Sequence, residues 1–169
     1  MINLIRVLFV FIIVFTLSCN SGAPEISTLV NGELNWITFE EAQTLNNKKE
    51  KMYLVDVYTD WCGWCKVMDK KTFTDGEIKS YLDNNFYVVK FNAEQKETLK
   101  FKGKEYEWKK AGKRGVNTLA IELLNGRMGY PSLVFLDHNF EKIEVVPGYK
   151  TPEQLMAILK NVKKPVPNS

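Results

Sequence analysis

Histidine and cysteine are scarce in this chain, and that scarcity excludes much. Among 169 residues there is one histidine, His138, and there are three cysteines, Cys19, Cys62 and Cys65. A structural zinc site takes four nitrogen or sulfur ligands. With Cys19 set aside, the remaining residues supply three at most, and His138 stands in a polar turn far along the chain from the cysteines. Metal chemistry is thereby confined to transient copper or zinc on two thiolates. A charge excess of one sign is also missing. The formal charge of +3 is the balance of 23 basic and 20 acidic residues that alternate along the chain, so no strong field marks a nucleic-acid binder. The densest basic stretch, residues 102–114, is interrupted by Glu105 and Glu107 and reads as a solvated loop. Internal repeats are absent, which removes solenoids. No apolar run reaches the ~20 residues that a membrane-crossing helix needs. What remains is 45% hydrophobic and 25% charged, the composition of one ordinary globular domain with its own core.

The first 18 residues differ from the rest. Arg6 precedes an apolar stretch, residues 7–17, whose 11 residues suit the core of an export signal. Cys19 follows at once, between Ser18 and the polar run "NSGAPE". This arrangement resembles a bacterial lipoprotein signal, and the resemblance implies that Cys19 is lipidated and becomes the first residue of the mature protein. Cleavage nearby without lipidation would instead leave a soluble exported protein. Loss of residues 1–18 removes only Arg6, leaving 23 − 1 = 22 basic residues against 20 acidic ones. Residues 19–35 then read as a tether leading into a short first strand, 36–162 as the folded domain, and 163–169 as a frayed tail.

Within the domain, apolar periodicity switches repeatedly between strand and helix. "TFEEAQTLNNKK" opens a helix, with Thr38 and Glu41 spaced as a reciprocal cap. "KMYLVDVYT" and "FYVVKFNAE" are buried strands. A helical pattern runs from Cys62 to about Lys71, and Thr74 with Glu77 repeats the cap signal for another helix. Residues 95–118 are basic and weakly patterned, which predicts an irregular insertion. "NTLAIELLNG" predicts a helix with a glycine stop, "PSLVFLD" and "KIEVVPGY" a strand pair joined by "HNFE", and "TPEQLMAILKNV" a last helix capped by Thr151 and Gln154. The order β-α-β-α-β, insertion, α-β-β-α indicates an α/β domain: a central mixed sheet with helices on both faces.

Chemistry is concentrated in "YLVDVYTDWCGWCKVMDKKTF", residues 53–73. A bridge between cysteines three apart closes a very small loop and stabilises little, so thiol–disulfide exchange accounts for the spacing better than a structural role. One thiolate attacks a substrate disulfide and the second resolves the mixed disulfide. The strand-to-helix junction predicts an exposed Cys62 at a helix N-terminus, where backbone N–H groups and the helix dipole favour the thiolate. One helical turn on, Cys65 is expected to face inward.

These residues resemble the thioredoxin superfamily. "LVDVYTDWCGWCK" is similar to the strand, Trp-Cys-Gly-x-Cys-Lys and helix of that family, with Trp64 where proline is commonest. The resemblance implies that Cys62 is the nucleophile and Cys65 the resolver. It further implies that Asp56, six residues before Cys62, is the buried acid that handles the resolving thiol's proton, and that Lys90 in "VVKFN" accompanies it. "GYPSLVFLD" resembles the family's cis-proline segment, so Pro131 would carry a cis peptide and Tyr130 would present backbone to a substrate chain. Trp61, Gly63 and Trp64 would frame that groove, and Gly148 falls where the family has a glycine after its last strand.

The implied fold is thioredoxin-like, with insertion 95–118 placed before the cis-proline segment. The implied function is thiol:disulfide exchange on protein disulfides in the bacterial cell envelope or periplasm, with no cofactor beyond the cysteine pair. Trp64 cannot supply the positive charge by which a histidine between the cysteines stabilises the reduced form, which leans the function towards reduction or isomerisation. The expected partners are protein thiol and disulfide substrates, an upstream thiol electron donor and a membrane reached through the lipid anchor. Nucleic acid is not expected, and the chain is expected to be a monomer. The alternative from another class is a binding module on the same fold that holds a partner protein or carries copper or zinc without turnover.

Overall fold

The nearly continuous apolar strand "MYLVDVY" organises the domain. A computed structural model of the chain describes residues 32–45 and 51–162; the export segment, Cys19, most of the tether and the tail lie outside these residues. Strand β1 (Met52–Tyr58) is buried along nearly its whole length. It pairs in parallel with β2 (Phe86–Asn92) on one side and antiparallel with β7 (Ser132–Leu136) on the other, and β7 pairs with β8 (Lys142–Pro147). The result is a four-stranded mixed sheet in the order β2-β1-β7-β8.

Side chains on successive strand residues point to opposite faces, so β1 feeds two cores. Tyr53, Val55 and Val57 enter one, together with Phe39 and Ala42 of α1 (Phe39–Leu45) and Leu119, Ala120 and Leu123 of α4 (Thr118–Leu123). Met52 and Leu54 enter the other. There they meet Met68 of α2 (Gly63–Lys71), Ile78 and Leu82 of α3 (Gly76–Asn85), and Leu155 and Leu159 of α5 (Pro152–Asn161). Helices cover both faces, as the element order predicts. Burying a side chain such as Leu54 or Val55 contributes roughly 1.5–3 kcal/mol each. Among the described residues no helix is long and apolar enough to cross a membrane.

Helix starts follow local chemistry. Thr38 and Glu41 cap each other reciprocally, as do Thr151 and Gln154. The α3 cap departs from expectation: Asp75 Oδ1 accepts from the amides of Glu77 and Ile78, while the Thr74 hydroxyl turns back to Lys70 O. A carboxylate one residue nearer the helix serves both free amides, which a single hydroxyl does less well. The expected first strand contracts to one bridge, Ile37 with Val89.

Residues 95–118 are the larger correction. Instead of an irregular loop they form two hairpins, β3 (Leu99–Phe101) with β4 (Lys104–Tyr106) and β5 (Trp108–Ala111) with β6 (Arg114–Asn117). The first hairpin alternates apolar and charged residues, and Leu99, Phe101 and Tyr106 enter the core beneath α1 and α4. Lysines on the outer face obscure that alternation in so short a run. In the second hairpin the Trp108 ring lies across Gly115, where a Cβ would come within 1.9 Å of it. Only glycine lets the ring lie flat there.

Gly115→Ala should therefore displace the ring and cost about 1–3 kcal/mol, as overpacking does. Gly76→Ala, into open space at the start of α3, should be near neutral. Urea unfolding of the two variants checks the contrast.

Candidate active site

Strand parity also explains how the site is assembled. Asp56 follows Met52 and Leu54 on the face of the sheet that packs against α2, and the parallel register sets it opposite Lys90. Lys90 Nζ donates to Asp56 Oδ2 at 2.6 Å and pairs on its other side with Asp69 Oδ1 of α2. The rings of Trp36, Tyr58 and Phe73 surround the ammonium at 4.7, 5.0 and 5.6 Å. Burial drives the Asp56 pKa upward against the pull of Lys90, leaving it at about 6. At Lys90 burial acts downward, but Asp56 and Asp69 together outweigh it and the pKa rises. The second oxygen of Asp56, Oδ1, and the buried hydroxyl of Thr59 have no hydrogen-bond partner among the described residues.

Cys62 and Cys65 form a disulfide whose Cα atoms are 5.3 Å apart. Cys62 is the N-cap of α2: its backbone is extended, its N–H donates to Thr59 O at 3.1 Å, and its Sγ accepts the amide of Cys65 at 3.1 Å. One expectation needs correction. Cys62 is 4% exposed, nearly as covered as Cys65 at 2%, because the bridge ties its sulfur to Cys65 under the first turn. The neighbours hold the surface instead: Trp61 is 52% and Trp64 63% exposed, and Gly63 is open.

Two aromatic pairs are built on those neighbours. Trp61 meets Tyr130 edge-on at 6.0 Å between ring centroids, and Trp64 meets Tyr149 at 5.4 Å. Tyr130 precedes a cis peptide bond to Pro131. Since Ser132 pairs with Val57, Pro131 lies level with the end of β1 that leads to Cys62. The Gly148 amide donates to Pro131 O at 2.8 Å from a backbone with φ of +79°, a conformation that favours glycine. Burial and then Glu94 push the Tyr130 hydroxyl up to about 12.

Asp56, Lys90, Cys62 and Cys65 thus share the α2 side of the sheet, and Trp61 links Tyr130 to the cysteine turn. His138 lies apart in the β7–β8 turn, against Asn139. Three further residues join the site. Asp69 is four residues after Cys65, so helical periodicity sets it on the same face, and that signal was available. Glu94 accepts from Trp61 Nε1 at 3.0 Å, and the Arg114 guanidinium lies 4.1 Å from the Trp61 ring centroid. Both reach the site from distant sequence, which no local pattern reveals. Among the described residues no group of three or more His, Cys, Asp or Glu side chains is placed to hold a metal ion.

A mixed sheet of this order, helices on both faces, a Cys-x-x-Cys bridge capping a helix and a cis-proline strand define a thioredoxin-fold domain. The chain belongs to the thioredoxin-like domain family, whose pattern matches residues 39–163. It is 29% identical over 123 residues to the thiol:disulfide interchange protein DsbD of Tatumella citrea, a match covering 72% of this chain and 18% of that protein. The chain therefore spans about a fifth of that relative's length. Two solved structures share the fold. A thioredoxin from Thermus thermophilus gives a TM-score of 0.57 at 18% identity, covering 77% of this chain and 87% of that one. The DsbH oxidoreductase gives 0.55 at 18% identity, covering 84% and 94%.

The raised Asp56 pKa sets a pH dependence. The folded protein keeps this proton up to about pH 6, whereas an unfolded carboxylate releases it near pH ~4. Folding thus binds a proton across that window, and stability falls as pH rises through it. Asp56→Asn should abolish this decline and leave the oxidised protein more stable than wild type at pH 7. Urea midpoints at a series of pH values from ~4 to ~7 test it.

Proposed function

We propose that this chain is a thiol:disulfide oxidoreductase that acts on protein disulfides in the cell envelope through Cys62 and Cys65, in the reducing or isomerising direction. The observation that carries the reading is the bond from the Cys65 amide to Cys62 Sγ at the start of a nine-residue helix. In the reduced protein that donor and the helix dipole favour a Cys62 thiolate. The thiolate attacks one sulfur of a substrate disulfide; that bond breaks, a mixed disulfide forms, and the released substrate thiolate takes a proton. Asp56, whose pKa near 6 suits proton exchange at neutral pH, receives the Cys65 proton, with Lys90 holding its carboxylate. The Cys65 thiolate then attacks Cys62 Sγ, the second substrate sulfur leaves as a thiolate and takes a proton, Asp56 gives up its own, and the Cys62–Cys65 bond is restored.

In reduction two electrons pass to the substrate in each cycle and an upstream dithiol donor replaces them, whereas isomerisation returns them to the cysteine pair. No cofactor beyond the cysteine pair takes part. Trp61, Gly63, Trp64, Tyr130 and Pro131 shape the groove for the substrate chain. Residues 1–18 serve as the export signal and Cys19 as the lipid anchor that holds a monomeric domain at the membrane. The name of the DsbD relative supports thiol:disulfide interchange as the reaction class.

Cys62→Ser should abolish protein-disulfide reduction, while Cys65→Ser should stall at a mixed disulfide visible on non-reducing gels. The reduction potential fixes direction: a value of roughly −270 mV, at the thioredoxin end of the range, fits a reductant, and one of about −120 mV contradicts that direction.

A further inference from the structure

The two hairpins of the insertion treat their cations differently. In the first, every lysine has a carboxylate: Lys100 with Glu105 at 3.0 Å, Lys104 with Glu122 at 2.6 Å, and Lys102 with Glu141. In the second, Lys109, Lys110, Lys113 and Arg114 are all exposed, and none forms an ion pair among the described residues. Arg114 alone is held, stacked on Trp61.

The register says where these charges sit. Ala111 pairs with Arg114 and Lys109 with Val116, so Lys109 shares the ribbon face that carries Arg114. Lys110 pairs with Gly115 on the opposite face, and Lys113 occupies the turn. The base of the ribbon is fixed to the site's own strand, because the Asn117 amide donates to Ala93 O and the Ala93 amide donates to Tyr58 O, both at 2.8 Å. Unpaired positive charge therefore lies on both faces of the ribbon and in its turn, from Lys109 near the base to Arg114 at the tip, where Arg114 meets the tryptophan preceding Cys62.

Unpaired exposed lysines on a ribbon otherwise face only water. Here the ribbon touches the cysteine turn through Arg114, and Glu94, which accepts from the indole N–H of Trp61, forms no ion pair with a ribbon cation among the described residues. Building on the oxidoreductase reading above, we propose that the Trp108–Asn117 ribbon is a docking arm for protein substrates whose disulfide is flanked by acidic residues. Arg114 positions Trp61 and joins the arm to the groove. Attraction of this kind acts chiefly on the encounter rate and weakens with salt.

The test uses the full-length chain, reduced, and three synthetic peptides that each hold one disulfide within acidic, uncharged or basic flanks. Oxidation of Cys62 and Cys65 is followed in a single turnover at low and high salt. The acidic peptide should react about tenfold faster than the basic one at low salt, and the preference should collapse at high salt. Lys109→Glu/Lys110→Glu should invert the ratio, with each variant's rates normalised to the uncharged peptide so that a folding defect cancels. Equal rates for acidic and basic peptides overturn the docking arm alone. No exchange with any peptide overturns the redox reading and the arm with it. Loss of binding to phosphatidylglycerol vesicles in the double variant, with no change in peptide preference, reassigns the arm to lipid and also overturns the proposal.

Discussion

A carboxylate with no exposed surface, lying behind the helix that carries the redox cysteines, is the constraint around which this domain is arranged. Asp56 cannot be left ionised and alone in a sheet interior, and the β1–β2 register answers that by setting Lys90 directly opposite. The lysine in turn needs more than one anion and some shielding, which Asp69 and the three rings around its ammonium provide. Compensation is partial. One oxygen of Asp56 has no partner among the described residues, and the net effect of burial is to raise its pKa rather than lower it. A stability-optimised core would hold an apolar residue here. Keeping an acid that titrates near neutrality is a local conflict of the kind that marks functional positions.

The same register problem shows why so much of the fold was legible. The strands around Asp56 are nearly continuous apolar runs, the helices carry reciprocal caps, and the two alternate along the chain, so layer order follows from pattern alone. Asp56 and Lys90 stood out because each is the only charge in an apolar strand interior. Other features depended on contacts that local pattern does not encode. The Asp75 cap turns on which of two adjacent polar residues reaches two amides. The hairpins in 95–118 were hidden because each strand has only three or four residues, too few for a period of two to rise above the lysines on the outer face. Glu94 and Arg114 act on Trp61 across 33 and 53 residues of chain.

The surface of the site follows a different logic from its interior. Cys62 and Cys65 are covered, while the exposed positions beside them are tryptophans held by other groups: Trp61 by Tyr130, Glu94 and Arg114, and Trp64 by Tyr149. Large rings held by ring contacts, one guanidinium and one hydrogen bond keep exposed apolar area in a fixed arrangement, with little left to order. The reacting atoms are thereby fixed by backbone and helix geometry, and the contact surface by side chains that come from four separate elements or loops. Substitutions at the rim therefore need not move the sulfurs.

That separation makes a long insertion tolerable beside the cysteine site. The chain leaves β2 at Ala93 and returns at Asn117, and a single 2.8 Å hydrogen bond joins those two residues. With its ends pinned together, the excursion presents the rest of the domain with a fixed junction whatever lies between, and closure entropy grows only slowly with its length. Asn117 is fully buried and also caps α4 through the Leu119 amide, so the end of the excursion and the start of the helix are set by one residue. The first hairpin repays its ordering with Leu99, Phe101 and Tyr106 in the core. The second contributes Trp108 over Gly115 and little other burial, leaving its lysines in solvent. A ribbon that adds so little to the core, and yet reaches the turn of the redox pair through Arg114, is accounted for by what it meets outside the domain rather than by what it stabilises within it.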